Sequence, residues 1–181
     1  MTADHTSPAE PVTALSQGAS PSWQILASRY LGEYLDKIRL ATARLPEELV
    51  WWRPHRNALS VGNLILHLHG NLSLWISSAL GKQVIVRQRS REFSADRTHE
   101  GSELLQLITA TVAECRALIE SVPDEALSRN LHVQGYDLDV RGAIFHAVEH
   151  MSYHTGQILY IVKTLTSEDD AFDFYSRHRE E

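Results

Sequence analysis

The chain has 181 residues, of which 43% are apolar and 22% charged, and it carries a formal net charge of −6. That composition suits one globular domain with a proper core, and the acidic balance excludes the basic footprint of a nucleic-acid binder. The apolar runs are short and broken by His, Ser or Gly, so no membrane span is expected, and neither is a signal peptide. The single cysteine, Cys115, cannot close an intrachain disulfide, which points to a reducing, cytoplasmic setting. Ten histidines are a surplus that core packing does not explain.

In chain order, residues 1–19 are rich in Ser, Thr, Ala and Pro without apolar period and are predicted to be a disordered tail. Ser20-Pro21 reads as the cap and first-turn proline of a first helix. In it Ile25, Leu26, Leu31, Tyr34, Leu35 and Ile38 recur at helical spacing as far as about Arg44, before Pro46. Ser60 is a candidate cap for a second helix running to Leu80, with Gly81 beyond it and Leu64, Leu68, Leu72, Trp75, Ile76 and Ala79 inward. Residues 82–100 hold Arg87, Arg89, Arg91 and Arg97 and show no helical period. They read as a long exposed loop, either a solvated connector or a surface for an acidic substrate.

A third helix is predicted from Ser102 to Ser121, turning Leu104, Leu105, Ile108, Val112, Cys115, Leu118 and Ile119 inward. The stretch NLHVQGYDLD, with Gly135 inside it, suggests a turn or small hairpin. A fourth helix runs from Asp139 or Val140 to Leu165, with Asp139 as its cap. Residues 167–181 form a polar tail. Four amphipathic helices within residues 20–166 predict an all-α, four-helix bundle.

Helix 4 places His146, His150 and His154 at i, i+4 and i+8, one stripe along the helix. Neighbours four apart lie about 6 Å from each other and can share an ion, whereas the outer two are about 12 Å apart and cannot. The pair is therefore His146/His150 or His150/His154, and a third ligand must come from elsewhere. Helix 2 supplies a narrow polar stripe of Asn63, His67, Gly70 and Asn71, with His67 at its centre and Gly70 leaving room for an ion. His69 points to nearly the opposite side. Three imidazoles suit Zn, Ni, Fe or Cu and leave coordination positions open.

The segments ALSVGNLILHLHGNLSLW and AIFHAVEHMSYHTGQILYI, with LVWWRPHRNALSVGNLILHL leading into helix 2, resemble the DinB-like metal-binding bundles, the DinB/YfiT family. The likeness covers about residues 22–165. It implies an up-and-down four-helix bundle with a long helix 2–3 connection, frequently a homodimer. It also implies a divalent transition metal (Zn, Ni or Fe) on His67, His150 and His154, with His146 a neighbour of the site.

Some members of that family resemble S-transferases that use a low-molecular-weight thiol, and many have no known reaction. The leading expectation is a metal-dependent transferase, joining such a thiol to a small electrophilic substrate, or a hydrolase. Asn71 and Gln157 are candidates to orient ligands or substrate, and no catalytic acid or base is identified. Tyr153 and Tyr34 are expected to pack rather than line the pocket. One competing reading is a non-catalytic, stress-related metal-binding module. Another is a metallopeptidase in which His146-Ala-Val-Glu149-His150 serves as an H-x-x-E-H motif. Cys115, on the inward face of helix 3, reads as an inert buried thiol.

Overall fold

The computed structural model describes residues 21–81 and 84–166, so the predicted tails 1–19 and 167–181 lie outside the described residues. The helices are α1 (Trp23–Thr42), α2 (Val61–Leu72, prolonged by a π-helical turn Ser73–Ser78 and a last turn Ala79–Gly81), α3 (Arg89–Ser94), α4 (Gly101–Glu120) and α5 (Val140–Leu165). Helix α1 is capped by Ser22, whose hydroxyl accepts from the Ile25 amide, and not by Ser20. Pro21 therefore precedes the helix instead of opening it. Ser60 and Asp139 cap α2 and α5 as their positions predict.

The expected four-helix bundle is formed by α1, α2, α4 and α5 around one core that includes Leu31, Ile38, Leu64, Leu68, Leu104, Ile108, Ile144 and Met151. Helix α1 packs against α4 and α5, and so does α2. The ring order is thus α1–α4–α2–α5, and chain neighbours α1 and α2 sit across a diagonal. Residues 43–60 make that diagonal crossing. Trp51 is buried at its centre, donates its indole N–H to the His99 carbonyl (2.9 Å), and presses its ring on α2 at Gly62. A Cβ at Gly62 would lie 2.9 Å from the ring, so only glycine lets the indole seat there.

Two elements depart from the reading of the sequence. The 82–100 connection is not simply an exposed loop: it contains α3, which packs on α2 and buries Glu92 and Ala95. Six residues are fewer than two helical turns, too few to register a period, and the residue turned inward is charged. The second departure is the π-helical turn in α2. Its slack is taken up by Cys115, whose thiol lies 3.7 Å from the Leu72 carbonyl oxygen and 3.7 Å from the Ser77 hydroxyl. Burial pushes that thiol up to about 12, in keeping with the inert role expected of it.

The NLHVQGYDLD stretch is a hairpin, β1 (Asn130–Val133) with β2 (Tyr136–Asp139), closed by Gln134 and Gly135 at φ of 50° and 84°. Two consecutive positive φ angles match a type I′ turn. Among the described residues no helix is long and apolar enough to cross a membrane.

Asn63 joins three of these elements. Its Oδ1 accepts from the Ser60 amide and hydroxyl, completing a capping box. Its Nδ2 donates to the carbonyls of Ala95 (2.8 Å) and Glu92 (3.0 Å), tying the end of α3 to the start of α2. Caps contribute about 1 kcal/mol, and stranding buried carbonyls costs about 1–3 kcal/mol more. Asn63→Ala is therefore expected to lower unfolding free energy by about 2–4 kcal/mol in urea titrations, against about 1 kcal/mol for Ser60→Ala.

Candidate metal site

His67, near the middle of α2, faces His150 and His154 on α5. One ring nitrogen from each can be chosen so that all three lie within 4.8 Å of one another. The Nε2 atoms of His67 and His150 are 2.9 Å apart. The ring centroids of His67 and His150 each lie within 5 Å of His154, at 4.8 and 4.5 Å. Of the two pairs that helical spacing allows on α5, the structure brings His150/His154 to His67. His146 is one turn away, its ring tilted against Trp75 (4.0 Å) and stacked beside His150 (5.4 Å). His69 points into α4, its Nδ1 2.8 Å from the Thr111 hydroxyl, as the opposite-face argument requires.

The hydrogen bonds behind the cluster set its tautomers. His67 Nδ1 lies 2.9 Å from the carboxylate of Glu92, which only accepts, so Nδ1 carries the proton and Nε2 presents a lone pair. His154 Nδ1 likewise meets the Gln157 side-chain oxygen at 2.7 Å, freeing Nε2. Glu92 is itself gripped by Arg87, whose Nε and Nη2 donate to its two oxygens at 2.7 and 2.8 Å. Burial alone would raise the Glu92 carboxyl, but hydrogen bonds from Arg87 and then His67 outweigh it and hold it below the ordinary carboxylate range.

This buried Arg87–Glu92–His67 relay was not anticipated from sequence. Glu92 is the only acid between residues 82 and 95, five positions after Arg87 among arginines, and that was the available signal. Gly70 also has a different role from the one expected. A Cβ there would lie 2.2 Å from Glu92 Oε1 and 2.9 Å from Arg87 Nε, so the missing side chain admits the ion pair, not an ion.

Burial, followed by the neighbouring His154, His67 and His146 rings and Arg87, pushes His150 down to about 3. Burial also lowers His154 and His146. At neutral pH these rings are therefore neutral and offer lone pairs. A proton shared between His67 and His150 would satisfy one pair only, whereas a cation satisfies three lone pairs at once. Nitrogens around a tetrahedral ion at about 2.1 Å lie roughly 3.4 Å apart, inside the observed range. The donor set fits a divalent transition ion.

A cleft of about 550 Å³ opens over His67 and His150, with Asn71, Trp75, Arg89 and Tyr136 among its walls. Trp75 donates its indole N–H to Gln134 at the hairpin turn (3.2 Å), holding hairpin and helix together above the site. Asn71 Nδ2 approaches His146 at 3.5 Å, and its Oδ1 is buried with no hydrogen-bond partner among the described residues. Glu149 lies on the exposed side of α5. Tyr153 packs edge-on against His154 (5.0 Å), and neither it nor Tyr34 lines this cleft.

The sequence matches the family described as "Protein of unknown function (DUF1572)" over residues 22–176. Nothing among curated proteins matches it. A conserved protein from Enterococcus faecalis superposes with a TM-score of 0.66 at 16% identity, covering 80% of this chain and 97% of its own. YfiT from Bacillus subtilis, described as a probable metal-dependent hydrolase with an unusual four-helix bundle topology, gives 0.63 at 16% identity, with 86% and 95% covered. A DinB-like protein from the same organism gives 0.61 at 15%, with 79% and 94% covered. At these identities the likeness is one of fold.

His150 sets a pH dependence. Its folded pKa lies below its unfolded value near 6.5, so the stability it supports is complete above 6.5 and declines as pH falls toward about 3. Chelator-treated protein is expected to melt at progressively lower temperature between pH 7 and pH 4. His150→Gln should show a shallower decline, measured by circular dichroism melts.

Proposed function

The chain belongs to the DUF1572 family and has the DinB-like bundle as its fold, and from that premise we propose that it is a metal-dependent enzyme holding one divalent transition ion on His67, His150 and His154. The observation that supports this most directly is the convergence of three imidazole nitrogens, with the His67 and His150 rings lining an open cleft. The description of YfiT as a probable metal-dependent hydrolase supports the same reading. Zn, Ni and Fe all suit the ligands. When bound, such an ion supplies Lewis-acid chemistry, lowering the pKa of a thiol or water that reaches it.

The chain's own residues do the rest. Glu92 and Gln157 hold two of the rings in the tautomer that points Nε2 inward. Trp75 and Tyr136, with ring centroids 6.1 Å apart, form an aromatic wall for a substrate body. Arg89 stands at the cleft as a cation for a charged substrate group. The volume suits a small molecule and not a protein chain. We therefore favour transfer of a low-molecular-weight thiol to a small electrophile, with hydrolysis as the variant in which water takes the thiol's place.

Among the described residues no carboxylate lines this cleft. The H-x-x-E-H peptidase reading lacks its base there, because Glu149 stands on the exposed side of α5.

Protein purified without a histidine tag is expected to contain about one equivalent of transition metal, lost in His150→Ala. Thiol-transferase or hydrolase activity should vanish with chelator and return with the ion. Absence of metal from the wild type, even after incubation with Zn, Ni and Fe salts, would overturn the reading. Glu92→Gln should lower stability and weaken metal affinity about 10- to 100-fold, measured by competition with a chromogenic chelator on protein first shown by circular dichroism to be folded.

A further inference from the structure

A second cleft, of about 460 Å³, runs along α5 and shares no wall residue with the metal cleft. Helix α5 contributes Tyr153, Gly156, Gln157 and Tyr160, at i, i+3, i+4 and i+7 on one face. Leu59, at the end of the diagonal crossing, and Leu64 of α2 help complete its apolar wall. Bundle helices ordinarily turn charge toward water, yet no charged side chain lines this cleft among the described residues. An apolar, aromatic concavity of this volume with few polar groups is the ordinary form of a small-molecule site.

Gly156 and Gln157 give the cleft its particular character. A Cβ on Gly156 would meet nothing within 4 Å, so packing within the chain does not require a glycine there. Its effect is to leave bare backbone between Tyr153 and Tyr160, two exposed rings set about 10 Å apart along the helix axis. A flat ring has room between them. Gln157 Oε1 accepts from His154 Nδ1 at 2.7 Å, which pins the amide. Its Nε2 has no partner among the described residues and is not enclosed. The amide therefore arrives already oriented, with N–H groups still to give.

We propose that this cleft is a second small-molecule site, for an uncharged, planar ligand that carries a carbonyl oxygen. The rings of Tyr153 and Tyr160 flank the ligand over Gly156, Leu59 and Leu64 take its apolar edge, and its oxygen accepts from Gln157 Nε2. A charged ligand is disfavoured, because the walls hold no counter-ion to offset its desolvation. The site stands on its own walls and does not depend on what the histidines bind.

The test is titration of the full chain with prodan, a neutral aromatic ketone whose emission shifts to the blue in apolar surroundings. Wild-type protein is expected to bind it with a blue shift. Gly156→Trp, at an open position, should fill the cleft and abolish that binding with helical circular dichroism unchanged. Acetophenone should displace prodan about fivefold more effectively than α-methylstyrene, in which a methylene replaces the carbonyl oxygen. Gln157→Leu, shown by circular dichroism to be folded, should erase that preference. Absence of a blue-shifted complex in the wild type overturns the proposal. So does prodan binding that survives Gly156→Trp, equal displacement by the two competitors, or a preference that persists in Gln157→Leu.

Discussion

The carboxylate of Glu92 is where the connection between α2 and α4 becomes part of the candidate site. One oxygen receives Arg87 Nε, and the other is shared between Arg87 Nη2 and His67 Nδ1. Features around it serve that placement: Asn63 anchors the end of α3, Gly70 leaves α2 bare where the ion pair crosses, and the Phe93 ring packs tilted against the His67 ring at 4.8 Å. A charge this deep in the protein is tolerable only when paired and hydrogen-bonded, and removing one partner of such a pair typically costs about 3–5 kcal/mol. The ordering of residues 84–100 and the orientation of His67 are thus one event.

The bundle explains why the rest of the site can be spare. Helix α5 delivers His150 and His154 from adjacent turns of one rigid element, and its long contacts with α1 and α2 fix their height against His67. Gln157 then sets the His154 ring from the same helix, one turn further on. Two helices and one short connection define the position of all three imidazoles. The cleft above them is closed on its far side by a hairpin whose turn residue, Gln134, is bonded to the indole of α2.

Much of this was legible in the sequence where the determinants are local. Helical period gave the four bundle helices, Ser60 and Asp139 gave two caps, and the i, i+4 spacing with the Asn63–His67–Asn71 stripe narrowed the facing histidines to His67, His150 and one neighbour of His150. What was not legible depends on contacts between distant residues. A six-residue helix leaves no periodic trace, and Glu92 among arginines looks like an ordinary surface charge until α3 is folded onto Gly70. Spacing alone left His146 and His154 equal as partners of His150. The structure separates them because α2 runs past α5 at the level of His154, leaving His146 against Trp75.

The π-helical turn in α2 divides the helix into two segments with separate duties. A helix that takes in one extra residue turns everything beyond it by about 100° relative to an uninterrupted α-helix. Upstream of Ser73, α2 presents His67 to α5; within the widened turn, Trp75 swings over the same cleft as a wall. The candidate metal ligand and the cleft wall are thus set on either side of a rotational joint. Changes in the length of the joint would re-aim the wall while leaving the imidazoles where they are. A helix with such a swivel can keep its histidine in place while the shape of the cleft beside it changes.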